Sequence, residues 1–316
     1  MNAELLGLLT CPVCRDSELL GLDEQMVDGA LSCSRCEATY PVRNGVPILL
    51  PPDLDTSGVH DELDHAQRHK QGQVDYLDRE VAEEFEISRP DGTPLAYRWL
   101  MEEKFRRSVA KLPPLKGATV LDACSGSGMD AEFLLREGAR VIALDISESC
   151  ALRARSRAER QGLDYLVVVG DVRRLPVRTG AADIAYVHDG FHHLDEPALG
   201  IRELARVARL AVSINEPADA LATKFAVRLG MALREEGAGN PVVRLRAQDV
   251  SDELQRAGFH VEASRYIMYY QHEPGRVMRF VSRPGVYHLY QWALRLVNRV
   301  VGAAGNKLQV AAVRER

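Results

Sequence analysis

Hydrophobic residues in the second part of the chain form short apolar runs separated by longer amphipathic segments. The run ATVLDACSGSG is followed by DAEFLLREGA and then by RVIALDIS. Short apolar runs that end in small or acidic residues predict buried parallel strands, and the segments between them predict helices. The alternation continues through LDYLVVVGD, AADIAYVHDG, LAVSINEP and GNKLQVAAVRER. The pattern therefore predicts an α/β fold with a doubly wound sheet.

The chain before residue 118 follows other patterns. Residues 76–111 place apolar and aromatic side chains at helical intervals, interrupted by the turn sequence SRPDGTP. This segment could cover a ligand of the following fold, or it could serve core packing alone. The polar stretch 53–75 predicts a linker. Its histidines His60, His65 and His69 include a pair four residues apart that could ligate a metal, although solvated histidines are more common in such a stretch.

Composition limits the class of protein. The chain has 316 residues, of which 46% are hydrophobic and 27% charged, as in a soluble globular protein of about two domains. The net charge of -5 argues against a general nucleic-acid binder. No uncharged apolar run approaches the roughly 18 residues of a membrane-spanning helix. The first residues lack the basic start and cleavage site of a signal peptide, so we expect a cytoplasmic protein.

Four of the six cysteines form two CxxC pairs, Cys11/Cys14 and Cys33/Cys36, separated by 18 residues. Six cysteines are too few for a disulfide scaffold, whereas two facing CxxC turns supply the four thiolates that Zn²⁺ binds as a tetrahedron. Redox-active pairs are the alternative, but a thioredoxin-like CxxC follows a strand in a βαβ unit, and no such pattern surrounds these. The spacing predicts a closed, structural zinc site in a ribbon over residues 1–52.

The residues around the cysteines resemble the Trm112-like zinc-ribbon family. The resemblance covers about residues 3–52 and rests on CPxC, CxxC, Tyr40-Pro41-Val42 and the run GVPILL. Members of that family accompany methyltransferases as activating partners or as fused domains, and a related zinc module opens some RNA methyltransferases. Residues 1–60 hold three basic and nine acidic side chains, which argues against phosphate binding. The resemblance therefore implies a structural or docking role for the ribbon.

The loop after the first strand of the second part reads Asp122-Ala-Cys124-Ser-Gly126-Ser-Gly128. It lacks the dinucleotide fingerprint GxGxxG, and its acid would repel a pyrophosphate but suits a ligand that carries an ammonium group. The loop resembles motif I, (D/E)xGxGxG, of the class I S-adenosylmethionine (SAM)-dependent methyltransferases, with Cys124 in place of the first glycine.

Later segments extend this resemblance over about residues 95–316, and it is closest to the small-molecule branch that includes quinone methyltransferases. The resemblance implies a Rossmann-like sheet of seven strands, the last of them antiparallel, in a domain over residues 76–316.

The resemblance also implies a cofactor site at the ends of successive strands. In that family the motif I loop holds the methionine end of SAM, and acids after the second and third strands hold the ribose and the adenine amino group. The end of the fourth strand lies along the cofactor near its sulfonium. The matching positions are Asp122, Cys124, Gly126 and Gly128 for the methionine end, Asp145 and Ile146 for the ribose, Asp171 and Val172 for the adenine, and His188 and Asp189 near the sulfonium.

Methyl transfer to a hydroxyl needs a base, and two adjacent histidines follow the fourth strand. A histidine suits this work because its ordinary pKa lies near neutrality. His192 and His193 are therefore the candidate bases, with Asp189 as the residue that orients them. The alternative is that one of them packs structurally, as is common for the HHL sequence in this family.

Acceptor specificity is expected in two insertions, at about 217–247 and 272–305. The second holds Tyr287, Tyr290 and Trp292, preceded by Tyr269 and Tyr270, which could line an apolar acceptor pocket or belong to the core. Residues 276–316 carry eight basic side chains and one acidic one. The amphipathic run VYHLYQWALRLVNRVV could contact a membrane surface or an acidic acceptor, or it could be a solvated basic face.

The sequence thus predicts a SAM-dependent methyltransferase with an N-terminal zinc ribbon, acting on the hydroxyl of a small, quinone-like or natural-product acceptor. Methylation of RNA is one alternative, weakened by the acidic ribbon, by the negative charge and by the lack of an NPPY-type loop. A peptide or protein acceptor docked by the ribbon is another. A catalytically silent SAM-binding scaffold is the third.

Overall fold

The computed structural model describes residues 2–15, 17–51, 94–220, 223, 243–268 and 276–315. The predicted linker with its three histidines lies outside these residues. So do most of the insertion expected at 217–247, the start of that expected at 272–305, and Tyr269 and Tyr270. No helix in the described part of the chain is long and apolar enough to cross a membrane.

Eleven strands form one sheet. They are β1 (Leu19–Leu20), β2 (Gly29–Cys33), β3 (Thr39–Arg43), β4 (Val46–Leu49), β5 (Thr119–Ala123), β6 (Arg140–Asp145), β7 (Leu166–Gly170), β8 (Ala182–His188), β9 (Ala208–Pro217), β10 (Phe259–Tyr266) and β11 (Lys307–Arg314). The α-helices are α1 (Ala3–Leu6), α2 (Leu95–Val109), α3 (Met129–Arg136), α4 (Glu148–Gln161), α5 (Pro197–Val207), α6 (Ala247–Arg256), α7 (Arg276–Val281) and α8 (Val286–Val301). Short 3₁₀ helices occupy Val172–Arg174, Phe191–His193 and Gly302–Ala304.

The strand order is β1-β2-β3-β4-β7-β6-β5-β8-β9-β11-β10, with β4 to β9 parallel and β11 antiparallel to both of its neighbours. The central strands are buried along nearly their whole length and mostly apolar, because helices cover both faces. The predicted doubly wound sheet with an antiparallel last strand is therefore present. Because β11 runs backwards, its first residue, Lys307, pairs with Pro217 at the carboxyl end of β9.

Two hydrophobic clusters cover the two faces of the sheet. The ribbon, α5 and α6 pack on one face around Leu9, Phe191 and Leu204. Helices α2, α3, α4, α7 and α8 pack on the other, where Phe105 stacks on Phe133 at 5.1 Å between ring centroids. The carboxyl edge of the parallel strands stays between these layers, which is where ligands bind in folds of this class.

The sheet has eleven strands, where the resemblance implied seven, because the ribbon joins it. Strand β4 pairs in parallel with β7, through Ile48 opposite Val169 and Leu49 opposite Gly170. A second contact forms where Thr10 N–H donates to the Pro176 carbonyl at 3.0 Å. The sequence-based boundary at residue 52 thus falls just after the strand that joins the two units, and it stays a prediction.

Candidate cofactor and acceptor site

The loop after β5 holds a buried carboxylate with one unpartnered oxygen. Asp122 is 1% exposed, and its Oδ2 has no hydrogen-bond partner among the described residues. Burial raises the pKa of Asp122 well above its usual range, and the charges of Asp130 and Asp145 raise it further. An ammonium group on a ligand would supply both the missing partner and the missing positive charge.

The two glycines of this loop serve different ends, since Gly126 faces open space and Gly128 permits close packing against α4 and Tyr165. Gly126 has a φ of 53°, and a Cβ placed there would meet no atom within 4 Å. Gly128 has a φ of 82°, and a Cβ there would lie 2.7 Å from the Tyr165 hydroxyl. Gly128 also opens α3 without a side-chain cap, and the Ala131 N–H of the first turn bonds the Asp122 carboxylate, so the helix start faces this loop. The loop therefore fits both ends of an amino acid.

Asp145 ends β6 and is tied to the same loop. Its Oδ2 accepts from the Gly126 N–H at 2.9 Å, and its Oδ1 accepts from the Ser147 N–H at 3.0 Å. Ile146 is half-buried beside it. Burial raises the pKa of Asp145, although these two hydrogen bonds oppose the shift. A buried carboxylate at a strand end is a suitable acceptor for ribose hydroxyls.

Asp171 follows β7 and has a partner that the sequence analysis did not include. Its Oδ1 accepts from the Arg173 N–H at 2.9 Å and from Arg173 Nε at 3.1 Å, while Arg173 Nη2 donates to Oδ2 at 3.1 Å. Val172 is buried next to it. An adenine amino group at Asp171 would therefore share this carboxylate with a guanidinium.

At the end of β8, His188 is held by a carboxylate from α3. Its Nδ1 lies 2.7 Å from Asp130 Oδ2, and the Tyr186 hydroxyl donates to the other oxygen of Asp130 at 3.3 Å. His188 Nε2 is buried, has no hydrogen-bond partner among the described residues and lies 3.5 Å from Asp189 Oδ2. A ligand beside the end of β8 could reach this nitrogen only after a small rearrangement.

Asp189 lies between two buried lysines that the sequence analysis missed. Lys104 Nζ from α2 is 2.5 Å from Asp189 Oδ2, and Lys307 Nζ from β11 contacts Oδ1. Burial would raise the pKa of Asp189, but the two ammonium groups outweigh it and hold the pKa well below its usual range. Burial lowers the pKa of Lys104 to about 8, against the opposing effect of Asp189. The available sequence signal was that Lys104 falls at helical spacing on the face of Tyr97, Leu100 and Met101.

Glu216, a carboxylate that the sequence did not single out, holds His192 in place; the predicted orienting role of Asp189 stays a prediction. Glu216 Oε2 is 2.9 Å from His192 Nδ1, and its Oε1 accepts from the N–H groups of Gly190 and Phe191 at 2.7 Å each. Glu216 is fully buried near the end of β9, so the loop after β8 is fastened to the neighbouring strand. The acid that closes the apolar run LAVSINEP was the sequence signal for this role.

His193 occupies a different position from His192. The two imidazole rings have centroids 4.1 Å apart, and His193 is half-buried whereas His192 is buried. A positive charge on His193 would be one of the influences that lower the pKa of Asp145, so the two side chains are within electrostatic reach. The structure therefore brings both candidate bases to the carboxyl edge of the sheet.

Ligand atoms of Asp189, His192 and Glu216 all lie within 4.8 Å of one another, which is a spacing compatible with a metal ion. The oxygens of Asp189 are bound by two lysines, and those of Glu216 by backbone N–H groups and His192. Ammonium groups at this place would repel a divalent cation. Hydrogen bonds and ion pairs therefore explain why these three side chains lie close together, without a metal ion.

The aromatic residues expected near the acceptor take different positions. Tyr290 packs edge-on against Trp99 of α2, with ring centroids 6.0 Å apart, and Tyr287 packs on the same cluster. Trp292 is 61% exposed and points away from that cluster. Of the two predicted roles, lining an acceptor pocket or packing in the core, Tyr287 and Tyr290 take the second. Trp292 takes neither.

The four cysteines of the CxxC pairs converge. Their sulfurs lie within 4.8 Å of one another, and Cys11 Sγ is 3.8 Å from Cys36 Sγ. A tetrahedron with Zn–S bonds of about 2.3 Å has an edge of about 3.8 Å, so the spacing fits zinc. The Tyr40 hydroxyl lies 3.0 Å from Cys11 Sγ, and the Ser17 hydroxyl lies 3.3 Å from Cys33 Sγ. Such contacts stabilise thiolates around a metal.

Residues 120–210 match the family described as methyltransferase domain, and residues 2–45 match the family described as Trm112p-like protein. An uncharacterized chloroplastic methyltransferase of Arabidopsis thaliana is 30% identical over 115 residues, which are 34% of this chain and 32% of the relative. A demethylmenaquinone methyltransferase of Corynebacterium kroppenstedtii is 29% identical over 134 residues, 42% of this chain and 56% of the relative. A UPF0434 protein of Nitrosococcus oceani is 38% identical over 50 residues, 16% of this chain and 78% of the relative.

A complex of the Haloferax volcanii Trm112 methyltransferase activator with a candidate methyltransferase contains a chain that is 20% identical to this one. The superposition has a TM-score of 0.47 and covers 69% of this chain and 95% of that one. The chain spans 32% and 56% of the lengths of the two methyltransferase relatives named above. These matches identify a methyltransferase domain over residues 120–210, preceded by a Trm112-like domain over residues 2–45.

Proposed function

We propose that the chain transfers the methyl group of SAM to an oxygen of a small, ring-shaped acceptor. The observation that carries the proposal is the unpartnered, buried Oδ2 of Asp122 beside the open glycine loop. That oxygen needs a cationic partner, and the amino group of the methionine moiety of SAM is one. The bound cofactor supplies an already activated methyl group, so the protein mainly has to position the acceptor.

Different residues around the loop would bind different parts of the cofactor. Asp122 binds the ammonium group, and the first N–H groups of α3 bind the carboxylate. Asp145 accepts the ribose hydroxyls, and Asp171 with Val172 receives the adenine. Asp171 keeps its bond to Arg173 on one edge, so adenine approaches the remaining lone pairs of the carboxylate.

On the acceptor side, His192 is the residue that takes a proton. Glu216 accepts from Nδ1, which leaves Nε2 as the basic nitrogen in the neutral ring. Asp189, fixed by Lys104 and Lys307, adds a carboxylate close to that ring, and the two ammonium groups favour a negative charge developing on an acceptor oxygen. The arrangement suits an acceptor that loses a proton better than one that carries a permanent positive charge.

A quinol-like ring is the acceptor class that we favour. The relatives from Corynebacterium kroppenstedtii and Thermobifida fusca are named demethylmenaquinone methyltransferases, at 29% and 32% identity. The methyl group that distinguishes menaquinone from demethylmenaquinone is on a ring carbon, and a relative from Halorhodospira halochloris at 32% identity is a sarcosine/dimethylglycine N-methyltransferase, so identity alone does not choose the acceptor atom. The paired lysines favour oxygen, because nearby positive charge stabilises a hydroxyl that is losing its proton and opposes the positive charge that an amine gains on methylation.

Binding of S-adenosylhomocysteine, measured by titration calorimetry, tests the cofactor half of the proposal. The wild-type chain should bind it, and Asp122→Asn should bind it about 10- to 100-fold more weakly because a charge-assisted hydrogen bond is lost. Asp164→Asn, the same change at an exposed acid, is the matched control and should bind normally. Failure of the wild-type chain to bind would overturn the proposal.

Methyl transfer from labelled SAM then tests the acceptor half. Naphthalene-1,4-diol should be methylated on a hydroxyl oxygen, as NMR of the product identifies, and the matched 1,4-diaminonaphthalene should not be methylated; methylation of the diol on a ring carbon would overturn the oxygen acceptor. Faster transfer to the diamine would replace the oxygen acceptor with a nitrogen acceptor and leave the cofactor site unchanged.

The four-cysteine cluster holds zinc in our proposal, and its role is structural. All four ligands are thiolates, so no position is left for a substrate. The ribbon also fastens to the methyltransferase sheet through β4, so its folding supports the edge of the catalytic sheet.

A further inference from the structure

Helices α7 and α8 present an apolar surface to solvent. Eight of the fourteen large hydrophobic residues that are exposed in the described chain lie on these two helices. No residue of α8 is buried, although the helix is 16 residues long. The exposed fractions reach 61% for Leu289, 61% for Trp292 and 73% for Val300, with 52% for Phe280 of α7. Isolated exposed residues are ordinary, but a contiguous group marks a contact surface.

The order of residues along α8 separates this surface from the packing face. Successive residues of a helix are rotated by about 100°, so Leu289, Trp292, Leu296 and Val300 fall on one stripe. The opposite stripe packs inward: Tyr287, Tyr290 and Leu294 contact the core under α2. The helix is therefore apolar on two faces, and packing within the described chain uses only one of them.

The charges beside the apolar stripe have one sign. Five exposed arginines occur between residues 276 and 306, with no acidic residue among them. They are Arg276, Arg279, Arg283, Arg295 and Arg299. Arginine can place its stem along an apolar surface while its guanidinium contacts a negative group. A stripe of large apolar side chains with a basic border is the pattern of helices that lie in the interface of an anionic bilayer.

A second copy of the chain fits this surface less well. A symmetric dimer would place the same patch against itself, so the five arginines of each copy would meet without acidic partners. We propose that α7 and α8 dock the protein on membranes that contain anionic phospholipid. The side chains of Phe280, Leu289, Trp292 and Val300 enter the interface, and the arginines contact lipid phosphates.

The docking surface lies next to the candidate acceptor site. Helix α8 leads through Gly302–Ala304 into β11, whose first residue, Lys307, contacts Asp189. Its inner face packs on α2, which supplies Lys104 to the same carboxylate. The docking inference does not depend on the proposed function. If that function also holds, an acceptor dissolved in the bilayer has a short path to the site.

Trp292 provides a direct test, because the chain has two tryptophans and Trp99 is buried. The full chain is mixed with vesicles of phosphatidylcholine alone or of equal parts phosphatidylcholine and phosphatidylglycerol. Binding should appear with the mixed vesicles as co-sedimentation and as a blue shift of the fluorescence. Lipids brominated on their acyl chains should quench that fluorescence. Trp292→Phe should still sediment but lose the shift and the quenching.

Substitutions then separate the apolar contribution to vesicle binding from the electrostatic contribution. The pair Leu289→Gln and Val300→Gln should weaken sedimentation at least about tenfold, since buried apolar area sets interfacial affinity. Arg279→Gln with Arg299→Gln should weaken it too and reduce its dependence on salt. Arg295 is left unchanged because its guanidinium lies over the Trp99 ring. Val27→Gln and Arg246→Gln, at exposed positions elsewhere, are the matched controls and should bind normally.

Three results would overturn the proposal. The first is no binding to the mixed vesicles. The second is equal binding by the wild-type chain and the Leu289/Val300 pair. The third is a dimer in sedimentation equilibrium that the same pair dissociates, because the face would then belong to a second copy. Binding of S-adenosylhomocysteine by the same preparations reports separately on the proposed function.

Discussion

At the scale of single residues, the site depends on buried charges whose partners come from distant parts of the chain. Asp189 is the centre of one such group, because its lysines are contributed by α2 and β11. Glu216 is the centre of the other and fixes three backbone groups and a histidine after β8. Because both groups are buried, removing one charged partner leaves the other charge in the interior without an opposite charge. Such a loss lowers the stability of the folded state.

The role of Glu216 gives a kinetic prediction. His192→Asn should lower kcat for methyl transfer by about 10²- to 10³-fold, as expected for loss of a general base, with little change in the affinity for S-adenosylhomocysteine. Glu216→Gln should lower kcat less and change the pH dependence of kcat, because it alters the orientation and basicity of the ring. His193→Asn is the matched control. If it alone abolishes turnover, His193 is the base.

Asp189 gives a prediction for stability and pH. Its pKa is depressed in the folded state, so its contribution is present at neutral pH and is lost as the pH falls through that depressed value. Asp189→Asn should therefore destabilise the protein by about 3 kcal/mol at pH 7, and the difference should shrink in acid below about pH 4. Urea unfolding from neutral to acidic pH measures it. Glu262→Gln, at an exposed ion pair with Lys111, should show no comparable loss. A difference that is constant with pH would refute this account.

At the scale of elements, the junction between the ribbon and the methyltransferase domain is a strand pairing. The run GVPILL was identified from the sequence as a mark of the ribbon, yet its residues Ile48 and Leu49 pair with β7. Residues of β4 are apolar on both sides because one face meets the ribbon cluster and the other meets α4. The ribbon is thus an extension of the sheet edge, which removes an exposed edge strand.

Metal removal tests the coupling of these elements. The purified chain should contain about one zinc per molecule, and Cys14→Ser should lose it. Loss of zinc should lower the melting temperature of the whole chain, because the ribbon and β7 unfold together. Cys150→Ser, at a buried cysteine outside the cluster, should keep its zinc. Two separate melting transitions, with the larger one unaffected by chelator, would show that the ribbon folds independently.

At the scale of the whole molecule, the sheet brings every site residue to one edge. The carboxyl ends of β5, β6, β8 and β9 and the reversed start of β11 meet there. On the flank of this edge, α2 and α8 form a layer that supplies Lys104 inward and the exposed apolar stripe outward. One layer therefore serves both the site and the proposed membrane contact.

The sequence by itself determined the order of strands and helices, the four-cysteine pattern and the positions of the cofactor loop. These features follow from local patterns, namely the period of the apolar residues, the glycines in turns and the acids at strand ends. Each pattern spans only a few neighbouring residues. Asp122 and Asp145 could be found in this way because each ends or follows a recognisable apolar run.

Only the tertiary structure decided which charges pair. Lys104 and Lys307 lie 85 and 118 residues from Asp189, and Glu216 lies 24 residues from His192, so no local pattern connects these partners. The pairing of β4 with β7 and the exposure of Trp292 likewise have no local pattern in the sequence that predicts them. Long-range pairing depends on how the layers pack, because burial selects partners in space and not along the chain.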